Sequence, residues 1–246
     1  MTTAAPALES LHPSLWRASQ LARSRTPTVD TGFPSLSLQL PGDGWPKGTL
    51  VDLLVQQPGV GEMRLLAPAL AAVAKRKIVL LQPPHIPQAL SLAALGIPPD
   101  SAIWLRADRT ADALWAAEQV LRSGSCGAVL FWPGQSSNSA RQQHVRSDSL
   151  RRLHLAAQSG ETLFFLMRPL GAEVDASPAP LRLSVRPAAG GISIGFVKRQ
   201  GPQREEALFL PMQVGPVHRV QPQTLPTQPA VQPVRIESNA LVTAGR

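Results

Sequence analysis

The sequence predicts an α/β fold built on a mostly parallel central sheet. Strand-like and helix-like segments alternate about every 25 residues through the middle of the chain, the spacing of βαβ units. Two of the strands, "KIVLLQ" and "GAVLFW", are almost wholly apolar, as strands are when helices cover both faces of a sheet. The segments between strands keep apolar residues at helical spacing. Strands joined through helices in this way lie parallel, with right-handed crossovers.

Taken in order, "SLWRASQLARSR" reads as a basic amphipathic helix over residues 14–25, with Leu15, Ala18 and Ala22 on one face and Arg17 and Arg25 turned outward. Pro27 ends it. A Gly/Pro-marked segment, "TGFPSLSLQLPGDGWPKG", leads into the strand "TLVDLLV". A glycine-containing loop and the helix "GEMRLLAPALAAVAKR" follow, with Met63, Leu66, Leu70 and Val73 in helical register. After "KIVLLQ", the stretch "HIPQALSLAALGI" reads as a helix that stops at Gly96, and "SAIWLRA" as a strand. "TADALWAAEQVLRSG" reads as a helix with Thr110 as N-cap and Gly124 as its C-terminal stop. The strand "GAVLFW", a long basic helix over "SNSARQQHVRSDSLRRLHLAAQSG" and the strand "TLFFLMRP" complete the alternation. Beyond Pro180 only strands remain: "LRLSVRP", "GISIGFVKR" and "EALFLPM", read as antiparallel additions to the sheet edge with Gly190-Gly191 as the first turn. The domain plan is therefore a basic arm over residues 1–30, an α/β domain over 31–212 and a Pro/Gln-rich tail over 213–246, the tail predicted to be disordered.

Composition narrows the function classes. Apolar residues make up 43 % of 246 positions, enough for a proper core. No window reaches the roughly 18 apolar residues of a membrane span, and the first residues show no basic-then-apolar leader pattern. Cys126 is the single cysteine, so an intrachain disulfide or a cysteine-based metal site is excluded, which suits a cytoplasmic protein. The five histidines have no metal-ligand spacing. The formal charge of +8 is compatible with a nucleic acid or an acidic partner. "GQSSNS" is not a nucleophile elbow, and Asp108, Asp112 and Glu118 read as solvated or capping groups. Trp104, Trp115, Phe131, Trp132, Phe164 and Phe165 read as core.

The loop "VQQPGVGEMRLL" stands where a nucleotide-binding protein carries Gly-x-x-x-x-Gly-Lys-Ser/Thr. The succession "TG", "GDGWPKG", strand, loop and helix, followed by "GAVLFWP", "TLFFLMRP" and "LRLSV…ISIGFVKRQGPQREEALFL", resembles the RecA recombinase core over residues 31–212. The resemblance implies a RecA-like three-layer sandwich. It also locates what has changed. Gln56 occupies the position of the first glycine and Gly61 that of the second. Glu62 replaces the phosphate-binding lysine, and Met63 the magnesium-binding hydroxyl. A carboxylate about 4 Å from a phosphate charge is unfavourable by roughly 4 kcal/mol at an effective dielectric near 20, and a thioether is a poor ligand for a hard cation. Pro84 stands at the catalytic glutamate position, and Trp132-Pro133 ends the strand that should end in a magnesium-supporting aspartate. The expectation is a chain that is not an enzyme and holds no nucleotide, metal or other cofactor, with Glu62 capping the helix electrostatically.

Two families share this altered loop. "GWPKGTLVDLLVQQPGVGEMRLLAPALA", the "LW" and Arg of the first helix, and "FVKRQGP" resemble ImuA, the RecA-like accessory protein of bacterial damage-response operons. "LRSGSCGAVLFW" and "FFLMRP" resemble SulA, the damage-induced division inhibitor that binds FtsZ. SulA-type chains lack the segment before the first strand and the strands after Pro180, which favours ImuA. That resemblance implies an adaptor in SOS-induced translesion synthesis. Its partners would be an ImuB-type polymerase-like protein, an alternative replicative-type polymerase through it, and RecA. Leu15, Trp16 and Arg17 are the candidate partner contacts. Arg141, His144, Arg151 and Arg152 are a candidate DNA-contacting surface near a position that touches DNA in RecA. The absence of tyrosine and 4 % aromatics argue against base-stacking platforms.

Overall fold

The computed structural model describes residues 27–133, 145–201 and 204–212. The arm residues Leu15, Trp16 and Arg17, the basic residues Arg141 and His144, and the Pro/Gln-rich tail lie outside the described residues.

Ten strands and five α-helices are formed by the described residues. Strands β1 (Thr28–Val29) and β2 (Trp45–Pro46) make a small antiparallel pair around helix α1 (Pro34–Ser37). The main sheet begins with β3 (Thr49–Val55). It continues through helix α2 (Glu62–Val73), β4 (Lys77–Leu81), α3 (Ala89–Ala94), β5 (Ala102–Leu105), α4 (Thr110–Ser123), β6 (Cys126–Phe131), α5 (Ser147–Ala157) and β7 (Leu163–Pro169). A 3-10 turn (Leu170–Val174) leads to β8 (Leu181–Ala188), β9 (Gly191–Lys198) and β10 (Leu208–Pro211). The eight strands stand in the order β10-β9-β8-β3-β7-β6-β4-β5. The run from β8 to β5 is parallel throughout, and β9 and β10 are antiparallel. A mixed α/β fold with a mostly parallel sheet and antiparallel edge strands is thus what the chain forms.

Each face of the sheet has its own core. Val51, Leu53 and Val55 of β3 pack with Leu65, Leu66 and Leu70 of α2 on one side. Leu50 packs with Ala117 and Leu121 of α4 and Leu150 and Leu153 of α5 on the other. The alternation along β3 assigns successive residues to opposite faces, and all seven of its residues are buried. Met63 and Val73 are half-buried against the first core, as the helical spacing predicts. The glycine-proline segment before β3 is part of the same core. Trp45 is fully buried and meets Phe165 edge-on, with ring centroids 5.3 Å apart. Gly32 has φ +78°, and a Cβ there would lie 2.4 Å from Pro68 of α2, so the "TG" pair needs its glycine for both reasons.

Four sequence expectations are corrected. The strand β8 is parallel to β3, because the residues after Pro169 cross over before returning; only β9 and β10 are antiparallel additions. Thr110 is the first helical residue and not the N-cap; Arg109 holds that place, without a side-chain cap, and the Thr110 hydroxyl is buried without a hydrogen-bond partner among the described residues. Trp104 and Trp115 are not core. Trp104 lies on β5, the outermost parallel strand, and Trp115 faces away from the buried side of α4; they are 44 % and 61 % exposed. Glu118 is neither solvated nor a cap. It is buried and bridges Arg122 and Arg152. The Gly124 stop is as read, with φ +59° in the left-handed region, and Phe131, Trp132, Phe164 and Phe165 are buried.

Candidate functional site

In open parallel sheets, ligands bind beyond the carboxyl ends of the strands where the strand order reverses. Here β3 is followed by α2 and then by β4, with β7 and β6 lying between the two strands. The loop over residues 56–61 sits at that edge. Gln56 N–H donates to the Val185 carbonyl at 3.2 Å, tying the loop's start to β8. Gly61 is the N-cap of α2 with φ +120°, and a Cβ there would be 3.0 Å from Ile192. Only glycine fits this conformation without strain.

Backbone N–H groups of the loop are bonded by the chain itself. Glu62, the first residue of α2, is only 3 % exposed. Its carboxylate accepts from Gly59 N–H at 2.8 Å and from Gly61 N–H at 3.2 Å. Backbone N–H groups at a helix N-terminus, aided by the helix dipole, are the usual cradle for a phosphate. Here an internal carboxylate takes two of them. The electrostatic cap read from the sequence is therefore also a pair of direct hydrogen bonds. Removing it leaves two inward N–H groups without an acceptor. Glu62→Ala is expected to lower stability by about 1–3 kcal/mol, read from the denaturant midpoint, with faster amide exchange at Gly59 and Gly61. An unchanged midpoint would contradict the geometry.

The other strand ends carry little chemistry. Gln82, after β4, has φ +55° and is buried; its side-chain amide donates to the Ala107 carbonyl. Pro84 follows in the loop. Trp132, after β6, is buried, and its indole N–H has no partner among the described residues. Among the described residues, no three His, Cys, Asp or Glu side chains are placed to hold a metal ion, and no helix is long and apolar enough to cross a membrane.

Sequence reasoning missed the buried ion network under the end of β7. Asp52 of β3 is fully buried and accepts from Arg168 of β7, with the Nε bond at 3.0 Å, and from Nε of Arg182 of β8 at 3.1 Å. Arg168 also reaches the Asp175 carboxylate at 3.2 Å. Arg182 donates to the Ala172 and Glu173 carbonyls at 2.8 and 3.2 Å. The segment after β7 is clamped to the sheet by these two arginines. The signal was present as single charges inside apolar strands: "TLVDLLV", "FFLMRP" and "LRLSV".

At the opposite, amino-terminal end of β3, a cavity of about 760 Å³ is lined by Lys47, Thr49, His154, Gln158, Glu161 and Gln200 among others. Leu50 N–H donates to His154 Nδ1 at 3.4 Å, so this nitrogen acts as an acceptor on a neutral ring. Burial, and secondarily the Lys198 ammonium, lower the His154 pKa from its ordinary value. The unfolded chain then takes up the proton first as pH falls. His154 therefore stabilises the fold above about pH 6.5, and this contribution is lost as pH drops from there towards the lowered folded-state value. The denaturant midpoint is expected to fall between about pH 7.5 and about pH 5.5 more steeply for the native chain than for His154→Gln. Parallel profiles would remove His154 as the cause.

Of the candidate DNA-contacting residues, Arg141 and His144 lie outside the described residues. Arg151 and Arg152 are both exposed on α5, but Arg152 is bonded to Glu118 of α4. No protein-family profile matches the chain. A stretch of 96 residues, 39 % of the chain, is 32 % identical to "Cell division inhibitor SulA" of Edwardsiella piscicida. The matched stretch is 52 % of that protein, so the chain spans about half the length of the curated relative it matches.

Proposed function

We propose that the chain is a non-catalytic adaptor of SOS-induced translesion DNA synthesis, working in the cytoplasm on a RecA-like scaffold. Its partners in this reading are an ImuB-type polymerase-like protein, through it an alternative replicative-type polymerase, and RecA. The observation that carries the reading is the Glu62 carboxylate bonded into its own phosphate-type loop. A scaffold whose anion position is filled from within suits binding rather than hydrolysis. The ImuA resemblance supports the choice of partners. So do the buried Trp45 segment and the strands β8 to β10, which the resemblance to ImuA includes and SulA-type chains lack. In this reading any direct DNA contact runs through Arg151 and Arg152, with Arg141 and His144. Calorimetric titration with Mg-ATP tests the non-catalytic part. The expected result is no saturable heat; micromolar binding that Glu62 substitutions alter would overturn it.

A second reading is favoured by the 32 % identity to SulA. In it the chain is a SulA-like inhibitor of division that binds FtsZ. Both readings place the protein in the response to DNA damage, and partner capture separates them.

A further inference from the structure

We propose that His154 is a pH-sensitive latch that holds the start of β3 to the end of α5, closed while its ring is neutral and released from β3 when the ring is protonated. The reason lies in where β8 begins. Gln56 N–H donates to the Val185 carbonyl of β8. Backbone groups of alternate residues in a strand point to the same neighbour, so those of Leu54, Asp52 and Leu50 also point towards β8. Pairing with β8 starts only at Val51, opposite Leu181. The Leu50 N–H thus lies beyond the first residue of its neighbour strand. Leu50 is fully buried, and its N–H donates to His154 Nδ1 at 3.4 Å. A side chain of α5 takes the place of a strand carbonyl.

The proton inventory of an imidazole makes this contact conditional. An N–H donor needs an unprotonated Nδ1, so the neutral ring carries its proton on Nε2. The side-chain amide of Gln158, four residues on, lies 3.3 Å from Nε2 and presents its oxygen there to match that proton. Protonation leaves the α5 side of the arrangement intact, since Nε2–H still donates to Gln158. It turns Nδ1 into a donor facing another donor. The Thr49 hydroxyl, 3.5 Å from Nδ1, can rotate to accept from it; the Leu50 N–H has no such freedom. The ring stays with α5 and lets go of β3.

The groups around the ring favour its neutral form. Burial does so most, and Lys198 of β9 opposes a second positive charge. Lys47, before β3, and Glu161, after α5, line the cavity beside His154. They pair with each other at 3.3 Å, so their charges offset. The same cavity gives water a route to the freed N–H without opening either core. The β7 side of β3 is held by backbone bonds, among them Gly48 N–H to the Thr162 carbonyl at 3.0 Å, which do not titrate. Release is therefore one-sided. The inference stands whichever of the two readings above holds.

The test is NMR of the nitrogen-labelled full chain from about pH 7.5 down to about pH 4.5, a range that spans an ordinary histidine and one with a lowered pKa. At the upper end the ring is expected to carry its proton on Nε2. As the ring is protonated, the protection factor of the Leu50 amide, referenced to its intrinsic exchange rate, is expected to fall by roughly fivefold or more. Its midpoint should be that of the ring, and the amides of β7 should keep their protection. His154→Gln is the conservative variant. Its side-chain oxygen is an acceptor that does not titrate, so Leu50 protection should lose its pH step. The proposal is overturned if Nδ1 carries the proton of the neutral ring, if Leu50 protection ignores ring protonation, or if His154→Gln keeps the step.

Discussion

Asp52→Ala is expected to destabilise the protein by about 3–5 kcal/mol, because it leaves buried guanidinium charge uncompensated. The carboxylate is fully buried and receives both Arg168 and Arg182. Arg168 is itself buried and keeps Asp175 as its other carboxylate; Arg182 keeps only carbonyl acceptors. The loss is a large share of the roughly 5–15 kcal/mol by which a domain is stable. Guanidinium denaturation reads it, and a shift worth less than about 1 kcal/mol would mean water reaches the arginines. A variant replacing Asp52, Arg168 and Arg182 together by apolar residues should recover much of the loss, since removing all the charges removes the desolvation penalty. It should still loosen the 3-10 turn after β7, whose Ala172 and Glu173 carbonyls accept from Arg182.

Phe165→Ala is the second large effect, with an expected cost of about 3–5 kcal/mol for a cavity at the centre of the sheet. Phe165 is fully buried on β7 between Val51 and Leu130. Its ring also supports Trp45, an aromatic contact worth a further ~1 kcal/mol. The damage should therefore be uneven. Residues 27–48, which Trp45 anchors, are expected to gain protease sensitivity and lose amide protection before β6 and β7 do. Uniform loss across the sheet would contradict that anchoring role.

Much of the fold was legible because burial imposes a period. The strand "TLVDLLV" coincides with β3 and "TADALWAAEQVLRSG" with α4, since apolar spacing and a left-handed glycine stop are local signals. Strand direction at β8 was not legible. It depends on how residues 170–180 cross the sheet, and that is held by Arg182 from a distance. The aromatics show the same limit. Trp104 and Phe131 look alike in sequence, yet one lies on the outermost parallel strand and the other in the interior of the sheet, and only strand order tells them apart. At the candidate site, the replacement of a lysine by Glu62 was plain, and so was the expectation that it does not hold phosphate. That its carboxylate turns back onto Gly59 and Gly61 needed coordinates. Glu118 was misread for a related reason: Arg122 is its i+4 neighbour on the same helix, but Arg152 approaches from the next helix.

The central claim is that this scaffold binds a polymerase-like partner without nucleotide. It is tested most directly by capture on the immobilised full chain of purified RecA, the ImuB-type partner and FtsZ, each with and without ATP. An adaptor of this kind is expected to retain the polymerase-like partner or RecA equally in both conditions. Retention of FtsZ alone, or capture that appears only with ATP bound to this chain, would contradict it.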